Sequence, residues 1–207
     1  MNPLSEEILT YWFGTTDLSL EIEKRQVWFK ATAEFDRHLI DHYSDICRQA
    51  HTGALDDLQG TPAECLSLIL ALDQFPRNIY RGSPRAFDCD PKARDITRYA
   101  MAQGFDQEMG RWQRAFLYLP FEHSENMEDQ EKALELYSTL VDAESLQSAI
   151  DHHDVIKRFG RFPHRNAVLG RTNTPEEEEY LNDPPMWGKT AMEAAELKNG
   201  KNGSTGG

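Results

Sequence analysis

A chain of 207 residues suits a single domain around one core, and its 39% hydrophobic and 10% aromatic content is that of a folded protein. Its 35 acids against 22 Lys and Arg leave a formal net charge of -13, which repels phosphate backbones, so nucleic acid is not an expected partner. No stretch approaches about eighteen apolar residues, and the opening MNPLSEEILTYWFG has acids where a signal peptide is basic, so a cytoplasmic protein with no membrane contact is expected.

Helix punctuation recurs along the chain and no hairpin signal joins two alternating β-branched runs, so the expected class is all-α with about eight to ten helices. Leu9, Trp12 and Phe13 give the first helix an apolar side. Phe35, Leu39, Tyr43 and Ile46 mark a long second one. TPAECLSLILALDQFP begins with Thr61 as cap, Pro62 in the first turn and Glu64 placed for a capping box, and Pro76 is expected to close it. Its run CLSLILAL, residues 65–72, is apolar nearly all round and belongs at the centre of the molecule. DPKARDITRYAMAQG repeats the logic, with Asp90 as cap and Gly104 as a left-handed stop.

Further helices are expected over 111–119, 127–141 and 145–159. The last carries Leu146, Ala149, Ile150, Ile156 and Phe159 on one side and ends at Gly160. Thr174 caps TPEEEEYL, whose acids at 176–179 read as a solvated face that complements the helix dipole. Residues 1–183 therefore read as one helical domain and 184–207 as an extension. Its end, KNGKNGSTGG at 198–207, has nothing to bury and is expected to be disordered. Cys47, Cys65 and Cys89 fit neither a disulfide framework nor zinc spacing and are expected as reduced thiols.

The chemistry concentrates at a few places. Asp73 ends the most apolar helix, where the dipole and burial both disfavour a negative charge, so it needs a cation. Arg77 is close in sequence, and RFGRFPHRNAVLGR, residues 158–171, holds four arginines, a histidine and an asparagine without one acid. QFPRNIYRG (74–82) and RFPHRNAVLGR (161–171) echo each other in Phe-Pro followed by Arg-Asn, and LYLPFEHSE (117–125) adds Glu122, His123 and Glu125 at a third proline-marked joint. His152 borders the apolar stripe of its helix, where a histidine is usually a core residue. Arg165 beside His164 favours its neutral form, suited to a base or hydrogen-bond partner. Glu122 and Glu125 with His123 match part of a di-iron site, but no Glu-x-x-His occurs and no metal is expected.

Taken together, YWFG, WFKATAEFD, LILALDQFPRNIYRGSPRAFDCDPKA, FLYLPFEHSE and VIKRFGRFPHRNAVLGRTNTPEEEEYL resemble the bacterial family catalogued as domain of unknown function 924, over about residues 4 to 182. The resemblance implies antiparallel helix pairs in a tetratricopeptide-like right-handed superhelical array. Its pattern falls on Asp73, Gln74, Arg77, Asn78 and Arg81, then on Pro120, Glu122, His123 and Glu125. The third group is His152, Asp154, Arg158, Arg161, His164, Arg165, Asn166 and Arg171. It names no reaction and no cofactor.

Two functions fit these residues. In the first, Arg77, Arg161 and Arg165 bind a small carboxylate or phosphate within a site that also holds Asp73, Asn78, Arg81, Glu125, His152, Arg158 and Asn166, while His164, His123 or Glu122 moves a proton. In the alternative, a helical scaffold grips a peptide or protein partner in a groove. Concentration of the polar residues at three joints favours the pocket, because a groove spreads its contacts along repeated helices.

Overall fold

The computed structural model describes residues 1–185 and Trp187. Among them the secondary structure is helical throughout: α1 Pro3–Phe13, α2 Ala33–Thr52, α3 Pro62–Ile69, α4 Phe75–Ile79, α5 Asp90–Ala102, α6 Arg111–Glu122, α7 Met127–Ser138, α8 Ala143–Phe159 and α9 Pro175–Leu181, with short 3-10 turns between. The expectation of disorder over 198–207 lies outside the described residues.

Most boundaries follow the sequence signals. Thr32 and Thr61 each accept a hydrogen bond from the backbone N–H three residues on, and α8 stops at Gly160, whose φ of 70° is the left-handed conformation glycine adopts without a Cβ clash. A reciprocal capping box forms at Thr174, with Glu177 returning the bond.

Pro76 does not close its helix. The chain passes from α3 into a π-helical turn at Leu70–Gln74 and on into α4, with Phe75 N–H bonded to the Leu70 carbonyl five residues back. Proline has no N–H and its ring crowds the carbonyl four residues earlier, and the wider turn absorbs both problems without ending the rod. Pro120 likewise lies inside α6, one turn from its end. α7 stops three residues short of 141, and Val141 then takes a φ of 54°. Asp90 is not a cap but the first residue of α5, with Cys89 at the cap position; its carboxylate is engaged by arginines instead.

The rod formed by α3, the π turn and α4 runs through the centre. Cys65 through Pro76 are all buried, as the all-round apolar run implies. Trp12, Tyr43, Phe75 and Phe116 pack their rings against one another around it, Trp12 meeting Phe116 edge-on at 5.4 Å. A second, smaller apolar cluster of Val155, Ile156 and Phe162 lies where α8 meets the 160–171 segment, with Met127, Phe159, Tyr180 and Trp187 against it. The candidate site lies between these two cores. The three cysteines are free and buried, and no described helix is long and apolar enough to cross a membrane.

Candidate functional site

The π turn places Asp73 within the central rod, between α3 and α4, rather than at a helix end, and fully buried. Its partners come from two sides: Arg77 Nη1 stands 3.1 Å from Oδ1, and His123, at the end of α6, stands 2.9 Å from the same atom through Nδ1. Gln74 Nε2 donates to Oδ2 at 2.6 Å. Burial by itself would raise the Asp73 pKa, but Arg77 and His123 outweigh it and hold the carboxyl well below its usual range. A carboxylate only accepts hydrogen bonds, so His123 carries its proton on Nδ1 and leaves Nε2 as the basic atom, an arrangement in which the acid orients the imidazole. Burial, then the Arg77 charge, lower the His123 pKa below 6.5, which keeps the ring neutral near pH 7.

Arg77 reaches a second carboxylate, Asp90 Oδ2, at 3.0 Å, and Arg165 Nη1 approaches the same oxygen at 3.3 Å. The two echoing segments thus meet: their arginines share one aspartate and their phenylalanines, Phe75 and Phe162, are both fully buried. The Arg165 guanidinium lies 4.5 Å from the ring centroids of both Phe87 and Phe162 and donates to the His123 carbonyl at 3.0 Å. Desolvation lowers its pKa to about 10, against the pull of Asp90. Asn78 donates to the Gln74 carbonyl at 3.0 Å and belongs to the same corner.

Glu122 and His152 form a neighbouring buried pair. His152 Nδ1 is 3.0 Å from Glu122 Oε1 and 2.8 Å from the Ser148 carbonyl, while the Ser148 hydroxyl donates to Glu122 at 2.8 Å. Burial pushes the Glu122 pKa up to about 7 and the His152 pKa well down, so neither group is charged in full near neutrality. The His123 and His152 rings are 6.2 Å apart. His164 has its own pKa lowered to about 3, first by burial and then by Arg165, consistent with the neutral form expected beside an arginine.

The remaining predicted residues do not join this centre. Arg81 pairs with Asp36 of α2 at 3.2 Å, and Arg158 with Glu176 at 2.8 Å on the surface. Arg161 forms a two-point pair with Glu177 at 2.6 and 2.7 Å and Arg171 another with Glu125 at 2.8 and 3.0 Å, while Asn166 donates to Asn173 at 2.9 Å. The expected excess of positive charge is therefore not there: each arginine of 158–171 has an acid brought from elsewhere in the chain. Two of those acids belong to the 176–179 run expected to be solvated. Glu177 is buried, and the Arg161 hydrogen bond draws its pKa down to about 2.

Sequence reasoning missed Asp90 and Trp187. An Asp-Pro pair at a helix start signals a cap, which hid the ion-pair role of Asp90. The lone tryptophan in DPPMWGK was the signal for the other, since a large aromatic in a polar stretch is a candidate for docking. Its indole stacks on His152 at 3.8 Å.

Several buried polar atoms of this region have no hydrogen-bond partner among the described residues: Asp90 Oδ1, His164 Nδ1, Arg165 Nε, Asn166 Oδ1 and Arg171 Nε. Two surface clefts, of about 410 and 550 Å³, open elsewhere; Glu125 borders the first, and no arginine of 158–171 lines either. Among the described residues no group of three His, Cys, Asp or Glu side chains is placed to hold a metal ion.

Residues 8–185 match the model of a bacterial protein family of unknown function, DUF924. The chain is also similar to a solved structure, the protein of unknown function ATU0120 from Agrobacterium tumefaciens, at 38% identity and a TM-score of 0.79 over 86% of this chain and 96% of that one. No curated protein matches it. With the family match spanning most of the helical body and a fold shared at this identity, the chain belongs to the bacterial family DUF924.

Proposed function

We propose that the corner formed by the π turn, the end of α6, α8 and the 162–166 segment binds a small anionic molecule and moves a proton on it. The observation that carries this reading is the group of buried polar atoms on Asp90, His164 and Arg165 that have no partner among the described residues. Buried polar groups in folded proteins almost always have partners, and each one left without costs about 1–3 kcal/mol. Three such residues in one corner, with Arg165 against Asp90 and His164 beside it in sequence, suit a ligand that supplies the partners. Arg165 Nε is a donor, and the nearby arginines make an acceptor-rich group such as a carboxylate or phosphate the fitting one. His123, oriented by Asp73, is the candidate base. Glu122, with its pKa near 7, is the candidate partner in proton transfer, because such work is most efficient near the ambient pH.

Arg77 and Arg165 are less available than the sequence implied, because both are held by carboxylates. The anion would therefore be met by Nε and by His164 rather than by an open guanidinium fork. Titration of acetate, malonate and phosphate into the protein, followed by thermal unfolding, tests the reading. A ligand at about a hundred times its Kd stabilises by about 2.7 kcal/mol, which for a chain of this size is roughly 5–10 °C. The shift should be lost in His164→Gln. No shift with any of the three would end the proposal.

One observation favours the scaffold alternative: the cleft of about 410 Å³ between α7 and α8 is lined by the apolar Met127 and Ile156 together with the charged Glu131 and Lys157, a mixture that suits a peptide groove. Met127→Glu should abolish peptide capture if that cleft is used and leave anion-induced shifts intact.

A further inference from the structure

Arg77 and Arg165 direct their hydrogen bonds to the same oxygen of Asp90. Arg77 Nη2 donates to Oδ2 at 3.0 Å and Arg165 Nη1 at 3.3 Å, while Oδ1 has no partner among the described residues. Guanidinium and carboxylate favour two parallel bonds, and the neighbouring pairs form them: Arg161 reaches both oxygens of Glu177, and Arg171 both oxygens of Glu125. Bare guanidinium and indole nitrogens recur in ordinary packing, at Arg111 and Trp12 for instance. A bare carboxylate oxygen does not recur: among the described residues Asp90, which is 5% exposed, holds the one that is buried and without a partner. Leaving a charged group unserved costs more than leaving a neutral one.

What Oδ1 lacks is a donor. A carboxylate ligand brings only acceptors, so it would serve Arg165 Nε and leave Asp90 as it stands. Oδ1 and Nε are each two bonds from the atoms that join the two side chains, so one small molecule spans them. Charge leads to the same requirement. Arg77 and Arg165 are matched in this corner by Asp73 and Asp90, and His123 and His164 are held neutral, so a bare anion would add a buried charge without a counter-charge. A zwitterion adds none. The corner can be reached, since the Arg77 and His123 side chains are 19% and 14% exposed.

We propose that the ligand of this corner is a small α-amino acid, its ammonium group donating to Asp90 Oδ1 and its carboxylate accepting from Arg165 Nε beside His164. The carboxylate half rests on the anion reading above; the ammonium half rests on Asp90.

Calorimetric titration of propionate, L-lactate and L-alanine into the full chain tests this, because the three share a carbon skeleton and differ in the group beside the acid. Alanine should bind at least about tenfold more tightly than propionate, as a hydrogen bond to a charged group implies, with lactate between them. Propionate binding as tightly as alanine overturns the proposal and leaves the anion reading standing. Lactate binding as tightly as alanine also overturns it, since a neutral donor then suffices. If none of the three binds, both readings fall. Asp90→Asn can keep an oxygen toward the arginines while turning an amide N–H toward the ligand, so it should bind propionate as the wild type does and lose the preference for alanine. A preference that persists in this variant overturns the proposal. If the variant does not fold, the ranking of the three ligands on the wild-type protein settles the matter by itself.

Discussion

At the scale of single residues, charge pairing inside the corner determines what each substitution does. Replacing Arg165 by Met keeps much of its packing between Phe87 and Phe162 but removes a buried partner of Asp90 and the donor to the His123 carbonyl. Because Arg77 still serves Asp90, the expected loss is about 3 kcal/mol, the lower end for a broken buried pair, read from denaturant unfolding. The two strongly shifted neutral groups act in opposite directions with pH. The folded pKa of Glu122, about 7, lies above its ordinary value of 4.5, so stability is lost as pH rises through that window. Glu122→Gln should therefore stabilise by up to roughly 3 kcal/mol near pH 8 and have little effect near pH 4. His164, with a folded pKa of about 3 against 6.5, contributes stability that is present above the higher value and lost as pH falls toward the lower. His164→Gln should flatten the acid side of the stability profile, and an unchanged profile would contradict neutral burial of the ring.

The helices themselves were largely legible at the scale of elements, because caps and stops are local chemistry. Thr61, Thr174 and Gly160 all act at their helix ends, since each satisfies or permits its end without help from afar. Pro76 misled for a physical reason: proline signals a break when a helix is free to end, and here the surrounding core retains the rod and converts the break into a π turn. The end of α7 leaves a testable irregularity. Val141 is 90% exposed and has a φ of 54°, where a β-branched side chain is strained and asparagine is not. Val141→Asn should raise stability by about 1 kcal/mol, measured as a higher midpoint of chemical unfolding. No change would mean that the turn relaxes around valine at no cost.

At the scale of the whole molecule, the two apolar clusters meet across the candidate site, and Trp187 packs against the smaller one. Residues 198–207 contain no apolar side chain apart from glycine, so their removal should leave the melting temperature unchanged. Removal of everything after residue 185 takes Trp187 with it and should lower the melting temperature by a few degrees, since a stacked aromatic is worth about 0.5–1.5 kcal/mol beyond its buried area. Equal melting temperatures for the two truncated chains would show that the indole contributes nothing to the fold.

The all-helical class, the central position of the 65–72 run and most helix boundaries were determined by the sequence by itself, because period, capping and apolar content act over a few residues. The need of Asp73 for a cation could also be read there, and Arg77 supplies one. Tertiary structure decided the partners: Asp90 for Arg165, Glu125 for Arg171, Glu177 for Arg161, and His123 as the second partner of Asp73. A stretch that is basic in sequence becomes balanced in space, because folding sets its charges beside acids from distant elements and burial makes an unpaired charge too costly to leave.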